Sequence, residues 1–362
     1  MSRNAIGPSV SPGQGHALAS HRWRQARVPA PLARQRGVAL LVAILLVALG
    51  TIIAAAMAYS NAMTARRAAA TFGFDQAMLV AEGAEALAAE GLKQLGKQNP
   101  PYIAPSQSWA QPFGPKQVAP GVTLEAQLED LQGRFNVNNL VGSDGETPNE
   151  TAIEAFRRLL QSLNLNAQLA DYIVDWIDGN TIPTSDGAED SVYMEMNPPY
   201  RTPNMPITST SELMAMPGMT RADFDKLAPH IAALPIGANI NRCTADPWVL
   251  DALTGTQEFT NDPEQFYKYR EADGGCFPPQ SAVTVKAATT SVGPGNVGTG
   301  SIGGGGAGGP GSNAADLVGD TSRYFRLTST VTLGSTQFTV YTLLNWDNAT
   351  GTRTMMRSFT PD

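Results

Sequence analysis

Between Asp171 and Glu195 the chain carries seven carboxylates (Asp171, Asp175, Asp178, Asp186, Glu189, Asp190 and Glu195) and neither Lys nor Arg. Asp171, Asp175 and Asp178, spaced i, i+4 and i+7, share one face of a helix, and the turn after Gly179 can fold the later carboxylates back towards them. Carboxylates held that close repel unless a hard cation organises them. Ca2+ takes about six to eight oxygen ligands and accepts irregular loops, which suits a stretch containing Gly, Asn and Thr better than the stricter octahedron of Mg2+. The spacing is not that of an EF-hand, and it does not say which acids bind. A solvated acidic surface with Asp175 and Asp178 as hydrogen-bond partners is the other reading of the same residues.

Catalysis finds little support. Of the three histidines, His16, His21 and His230, two precede residue 37, so the remainder has one imidazole and cannot build a His-Glu-x-x-His zinc site. Gly298-Thr-Gly-Ser-Ile-Gly303 matches a dinucleotide-binding pattern in letters alone, because it sits in a Gly-rich stretch with no helix behind it. Nothing sets the separation that a glycosidase carboxylate pair requires. The chain is expected not to be an enzyme. Ser211–Leu227 has the pattern of a helix-hairpin-helix, but Asp223 and Asp225 follow its Pro217-Gly-Met-Thr220 turn, which favours a structural hairpin burying Leu213, Met216, Phe224 and Leu227 over a phosphate binder.

The elements that must position these residues begin with an uncharged apolar run of 22 residues, Val38 to Tyr59. As a helix it spans roughly the 30 Å core of a bilayer. Six arginines and no acid precede it, so charge bias keeps residues 1–37 in the cytoplasm and sends everything beyond about residue 60 outside. Without those arginines, 19 basic residues face 32 acidic ones, a net charge of −13, which disfavours nucleic acid and anionic lipid as partners. Good helix formers continue to about Leu95, with Phe74, Ala77, Met78, Ala81, Ala84, Glu85, Ala88 and Leu92 forming an apolar stripe. A Pro-rich turn region follows (Pro100 to Pro120), then an alternating strand over 122–128. Helical segments are expected over 151–160, 167–177 and 211–216, and strands over 324–333, 337–346 and 353–359. Cys243 and Cys276 lie on the exported side, where an oxidising compartment favours a disulfide closing a loop of about 34 residues and contributing about 3–4 kcal/mol; two buried free thiols are the alternative.

Arg34-Gln-Arg-Gly37-Val38 ahead of the apolar run resembles the processing site of type IV pilins and pseudopilins. Leu128-Glu-Asp-Leu-Gln-Gly-Arg-Phe-Asn-Val-Asn138, Asp175-Trp-Ile-Asp178, Gly187-Ala-Glu-Asp190 with Tyr193, Glu212-Leu with Gly218, and Asn239-Ile-Asn241 resemble more specifically the general secretion pathway protein K family, the large minor pseudopilin of type II secretion. The resemblance implies an α+β fold: a long N-terminal helix packed on an antiparallel sheet, with an inserted α-helical domain. It divides the chain into a leader (1–37), a transmembrane helix (38–59) continuing to about 95, a first pilin-like part (96–148), the helical insert (149–275) and a second pilin-like part (276–362) holding a Gly-rich linker (292–312).

The same resemblance implies cleavage between Gly37 and Val38 by prepilin peptidase, methylation of the new N-terminus, and a single-pass anchor in the inner membrane with the body in the periplasm. Pilins usually carry glutamate at the fifth mature position, where this chain has Val42. A subunit at the fibre tip has no neighbouring amine to pair with that carboxylate, so Val42 fits a tip position. Other minor pseudopilins are the implied partners, contacted through the apolar stripe beyond residue 60. Ca2+ is the implied cofactor, and Asp178, Asp186, Glu189 and Asp190 are the expected ligands. The implied role is to support export of folded proteins across the outer membrane; a tip subunit of a type IV pilus is the alternative.

Overall fold

The computed structural model describes residues 38–286 and 317–361; the leader with Gly37 and the Gly-rich linker fall outside the described residues. Helices are α1 (Val38–Gln98), α2 (Glu150–Ser162), α3 (Leu169–Ile177), α4 (Asp190–Tyr193), α5 (Arg221–Leu227), α6 (Pro247–Thr254) and α7 (Pro263–Ala272). Strands are β1 (Phe113–Ala119), β2 (Val122–Asp130), β3 (Phe135–Asn136), β4 (Ile231–Ala232), β5 (Ile240–Asn241), β6 (Val318–Gly319), β7 (Tyr324–Leu333), β8 (Thr336–Asp347) and β9 (Gly351–Ser358). Two units divide at Arg67 and Ala68. The described part of the first is the apolar start of α1, which is long and apolar enough to cross a membrane, with its large side chains exposed.

In the second unit β1-β2-β7-β8-β9 form one antiparallel sheet. The two-residue period along β7 buries Phe325, Leu327, Ser329 and Val331 in alternation, and the three apolar ones meet Ala77, Ala81, Ala84, Leu92 and Leu95 of α1 in one apolar cluster. Alanines at the contact let the helix backbone lie close to the sheet, while burial of each leucine contributes about 1.5–3 kcal/mol. The stripe expected to contact partner subunits therefore covers this chain's own sheet. Glu85 lies within that stripe and is clamped by Arg357 of β9 through two bonds, Nε to Oε1 at 2.6 Å and Nη2 to Oε2 at 2.8 Å. Thr342 and Thr354 donate to the same carboxylate at 3.0 Å each.

The helical body has its own core, built on Phe156, Leu159, Leu160, Ile173, Ile177, Leu213, Leu227 and Leu250. Residues on either side of the 149–275 stretch enter it too, among them Phe135, Val137, Leu140 and Val318. Leu213, Met216, Phe224 and Leu227 are all buried around the hairpin turn, where Gly218 takes φ +76°, a conformation that favours glycine. Thr210–Ala215, expected as a helical segment, is a 3-10 helix with Ser209 and Glu212 as its capping box.

Two further differences have local causes. The region read as Pro-rich turns contains β1, an edge strand, where proline removes no ladder bond that matters. Helices α6 and α7 were not anticipated, although each starts with an Asp N-cap and Pro at its first position, Asp246-Pro247 and Asp262-Pro263. Cys243 and Cys276 are joined in a disulfide that brackets these two helices.

Candidate functional site

The residues that carried the family resemblance divide into two polar constructions. One is a junction between sheet and helical body. Asp130, at the end of β2, is buried and accepts from Gln132 N (2.9 Å), Asn241 Nδ2 (2.9 Å), Thr244 Oγ1 (2.6 Å) and Ser322 Oγ (2.6 Å). Burial outweighs these donors and raises its carboxyl. Glu129 is held between Arg134 (2.5 Å) and Arg326 (2.6 Å), and the side chains of Asn136, Asn138 and Asn139 satisfy backbone groups of residues 207 and 234–238. These residues hold chain segments far apart in sequence, which accounts for their types without catalysis.

The other construction is the acidic site. Helix α3 buries Ile173, Val174 and Ile177 in the core and thereby carries Asp175 and Asp178 inside, at 0% and 1% exposure. Asp171, on the same helix, pairs with Arg157 of α2 at 2.7 Å. Past Gly179 the chain folds back: Asn180 N donates to Asp178 Oδ1 (3.2 Å), and Thr184 N donates to Asp175 Oδ1 (3.0 Å) and Oδ2 (3.2 Å). Gly187 allows this closure, because a Cβ there would overlap Asp175 Oδ2 and Thr184 Oγ1. The return brings in Glu189, 3% exposed, which accepts from Thr202 Oγ1 at 3.2 Å through Oε2.

Beneath lies an aromatic wall, Trp176 with Tyr193 at 5.3 Å and Tyr200 at 6.5 Å between ring centres; the Tyr200 hydroxyl donates to the Ala215 carbonyl.

Burial is the main cause that raises the Asp175, Asp178 and Glu189 carboxyls; the charge of Asp178 adds to it at Asp175, those of Asp175 and Asp178 at Glu189, and that of Glu146 at Asp178, and Glu189 is pushed up to about 7. Among the described residues no Lys, Arg or His forms an ion pair with any of the three. Glu189 Oε1, Thr184 Oγ1 and Asn204 Oδ1 are buried here without a hydrogen-bond partner. Buried oxygen acceptors that lack donors, beside carboxylates that lack a counter-charge, form a donor set suited to a hard divalent cation. The residues fit such an ion by type, although among the described residues no three acidic, His or Cys side chains converge at metal-ligand geometry.

Of the four expected ligands, Asp178 and Glu189 lie inside this site. Asp190 sits at its rim, bonded to Thr202 and paired with Arg201 at 3.3 Å. Asp186 is exposed, and its contribution is a backbone carbonyl that accepts from Gln168 Nε2 at 2.9 Å. Asp175, assigned no ligand role from the sequence, is the most deeply buried of the acids. Its i, i+4, i+7 spacing was the available signal; the neutral oxygens of Thr184, Thr202 and Asn204 had none.

Residues 133–236, which contain the acidic site and the hairpin, match the family model of type II secretion system protein K. Over 251 residues the chain is 35% identical to type II secretion system protein K of Klebsiella pneumoniae, covering 67% of this chain and 77% of that protein. The Pseudomonas aeruginosa protein of the same name is 34% identical over 250 residues, covering 66% and 73%. In fold, the chain is similar to a chain in the crystal structure of the GspK–GspI–GspJ complex of the enterotoxigenic Escherichia coli type II secretion system, with TM-score 0.61, 21% identity, and coverage of 81% of this chain and 98% of that one. A long apolar helix continuing onto an antiparallel sheet, a helical insert and this degree of shared sequence lead to one conclusion: the chain belongs to the type II secretion system protein K family, the minor pseudopilins of type II secretion.

Proposed function

We propose that this minor pseudopilin sits at the tip of the pseudopilus, anchored by Val38–Tyr59 in the inner membrane with its body in the periplasm, and acts by assembly rather than catalysis. The observation that carries the tip position is Val42, an apolar residue where a mid-fibre pilin helix would hold a carboxylate. Other minor pseudopilins are its partners, as in the assembled complex that contains the similar fold. Prepilin peptidase cuts after Gly37, and the new Val38 amine is methylated. Intact mass and N-terminal sequencing of the protein from its host's membranes test this reading: a chain starting at Val38 is expected, and an uncut Met1 or a start beyond residue 59 would overturn it.

Ca2+ organises the acidic loop of the helical body, with Asp178 and Glu189 as ligands, Asp175 joining them and Asp190 at the rim. What supports this is the unpartnered buried oxygen of Glu189 beside two further carboxylates. The ion supplies the positive charge that lets residues 179–204 close over buried acids; it carries no reaction.

A further inference from the structure

We propose that Met196 is an oxidation site: an oxygen-donating oxidant of the hypochlorous acid class converts its thioether to the sulfoxide, which releases the loop over the acidic site from the hairpin. Six of the chain's twelve methionines fall between residues 194 and 219, so sulfur is concentrated around this one loop. Met194, Met205 and Met214 are exposed, Met216 is buried, and Met196 and Met219 are partly buried against the helical core. What sets Met196 apart is the neighbour of its sulfur, the Tyr200 hydroxyl at 3.3 Å. That hydroxyl has one proton and two acceptors in reach, Met196 Sδ and the Ala215 carbonyl. A thioether is the weaker acceptor, so the bond to Ala215 holds. It ties the loop to the 3-10 helix Thr210–Ala215, with the Tyr200 ring packed on Tyr193 at 5.5 Å between centres. Two residues further on, Thr202 bonds both Glu189 and Asp190, so the same tie keeps the loop over the acids.

Oxidation changes which acceptor the Tyr200 proton prefers. Oxygen transfer breaks the O–Cl bond of the oxidant and forms an S–O bond; sulfur gives up two electrons, and chloride and a proton leave. The sulfoxide oxygen is a strong acceptor where the sulfur was a weak one, and it competes for the proton that Ala215 held. It also puts a polar group where Met196 packed against apolar side chains, which burial disfavours. Both effects draw residues 196 and 200 away from the hairpin. Loss of one neutral hydrogen bond shifts a local opening equilibrium by about three- to tenfold. Arg201, exposed between Tyr200 and Thr202, makes that opening readable, because trypsin cuts after it once the loop is free to enter the protease.

The test treats the full chain, extracted from its own membranes and kept in EDTA so that no cation enters the result, with hypochlorous acid and maps the product by mass spectrometry. Met196 is expected to gain one oxygen along with the exposed Met194, Met205 and Met214, and trypsin is then expected to cut after Arg201 about three- to tenfold faster. Tyr200→Phe is expected to show the faster cut without oxidant and to gain nothing further from it. Met196→Leu is expected to keep the slow cut after the same treatment, although its other methionines are oxidised. A thiol-dependent methionine sulfoxide reductase is expected to restore the slow cut in the wild-type chain. Met196 left unmodified while Met194, Met205 and Met214 carry oxygen overturns the site. An unchanged cutting rate with Met196 oxidised, or equal acceleration in Met196→Leu, overturns the release.

Discussion

Two of the regions that bury carboxylates in this molecule do so with opposite electrostatics. On the helix–sheet contact, burial alone would raise the Glu85 carboxyl, but the bonds from Arg357, Thr342 and Thr354 hold it below its usual range. In the helical body Asp175, Asp178 and Glu189 have hydroxyl and backbone donors but no cation among the described side chains, and all three are raised. A carboxylate that is fully compensated by its own chain serves as a clamp. One that meets only neutral donors, as Asp175, Asp178 and Glu189 do, keeps a charge that burial opposes.

The strongest way to sharpen the contrast is to supply the missing charge. Ca2+ at about 100 times its dissociation constant should stabilise the metal-free protein by about 2.7 kcal/mol, a rise of roughly 5–10 °C in melting temperature for a body of this size. Calorimetry with and without EDTA checks it, and Glu189→Gln should lose most of the gain. An unchanged melting temperature would remove the cation from the account.

Breaking the clamp should have the next largest effect. Arg357→Ala leaves Glu85 buried without its counter-charge and should cost about 2 kcal/mol, less than a fully buried pair because the arginine is partly exposed. Glu85 has a lowered folded pKa, so its contribution is present above the unfolded value near 4.5 and is lost as pH falls through the folded one. Urea melts of wild type and Arg357→Ala between pH 3 and 7, about the range over which that carboxyl titrates, should therefore converge at the acid end.

The smallest effect has the opposite sign. Glu189 has a folded pKa raised from 4.5 to about 7, so in EDTA the stability it contributes is fully present below the unfolded value and is lost as pH rises through about 7. Glu189→Gln should then stabilise the metal-free chain at about pH 8 by on the order of 1 kcal/mol, with the gain vanishing near pH 4.5. Denaturant midpoints at the two pH values decide it; destabilisation at both would mean that the Glu189 carboxylate is a clamp like Glu85.

Much of the fold was legible because its signals are local. The period of α1 and the alternation in β7 can be counted along the chain, and β7 runs over Tyr324–Leu333, the residues read as strand. The stripe from Phe74 to Leu92 was legible as apolar, and periodicity marks a buried face without naming what buries it; that the helix packs on the chain's own sheet came from the family resemblance. At the acidic site, the run of carboxylates without Lys or Arg was plain. Which of them turn inward was not, since Asp175 and Asp186 differ by their position against the core and not by their type.

By itself, then, the sequence determined an apolar membrane-length helix, an acidic body with alternating strands near its end, and membership of a family written in separated motifs; each follows from residue type and near-neighbour spacing. Tertiary structure alone decided that Asp130, Asn241 and Ser322 meet at one junction, that Glu85 finds Arg357 across 272 residues, and that Glu189 turns in beside Asp175 while Asp186 stays out. The reason is that charge compensation and burial are properties of neighbours in space, and those neighbours are chosen by packing of the whole core.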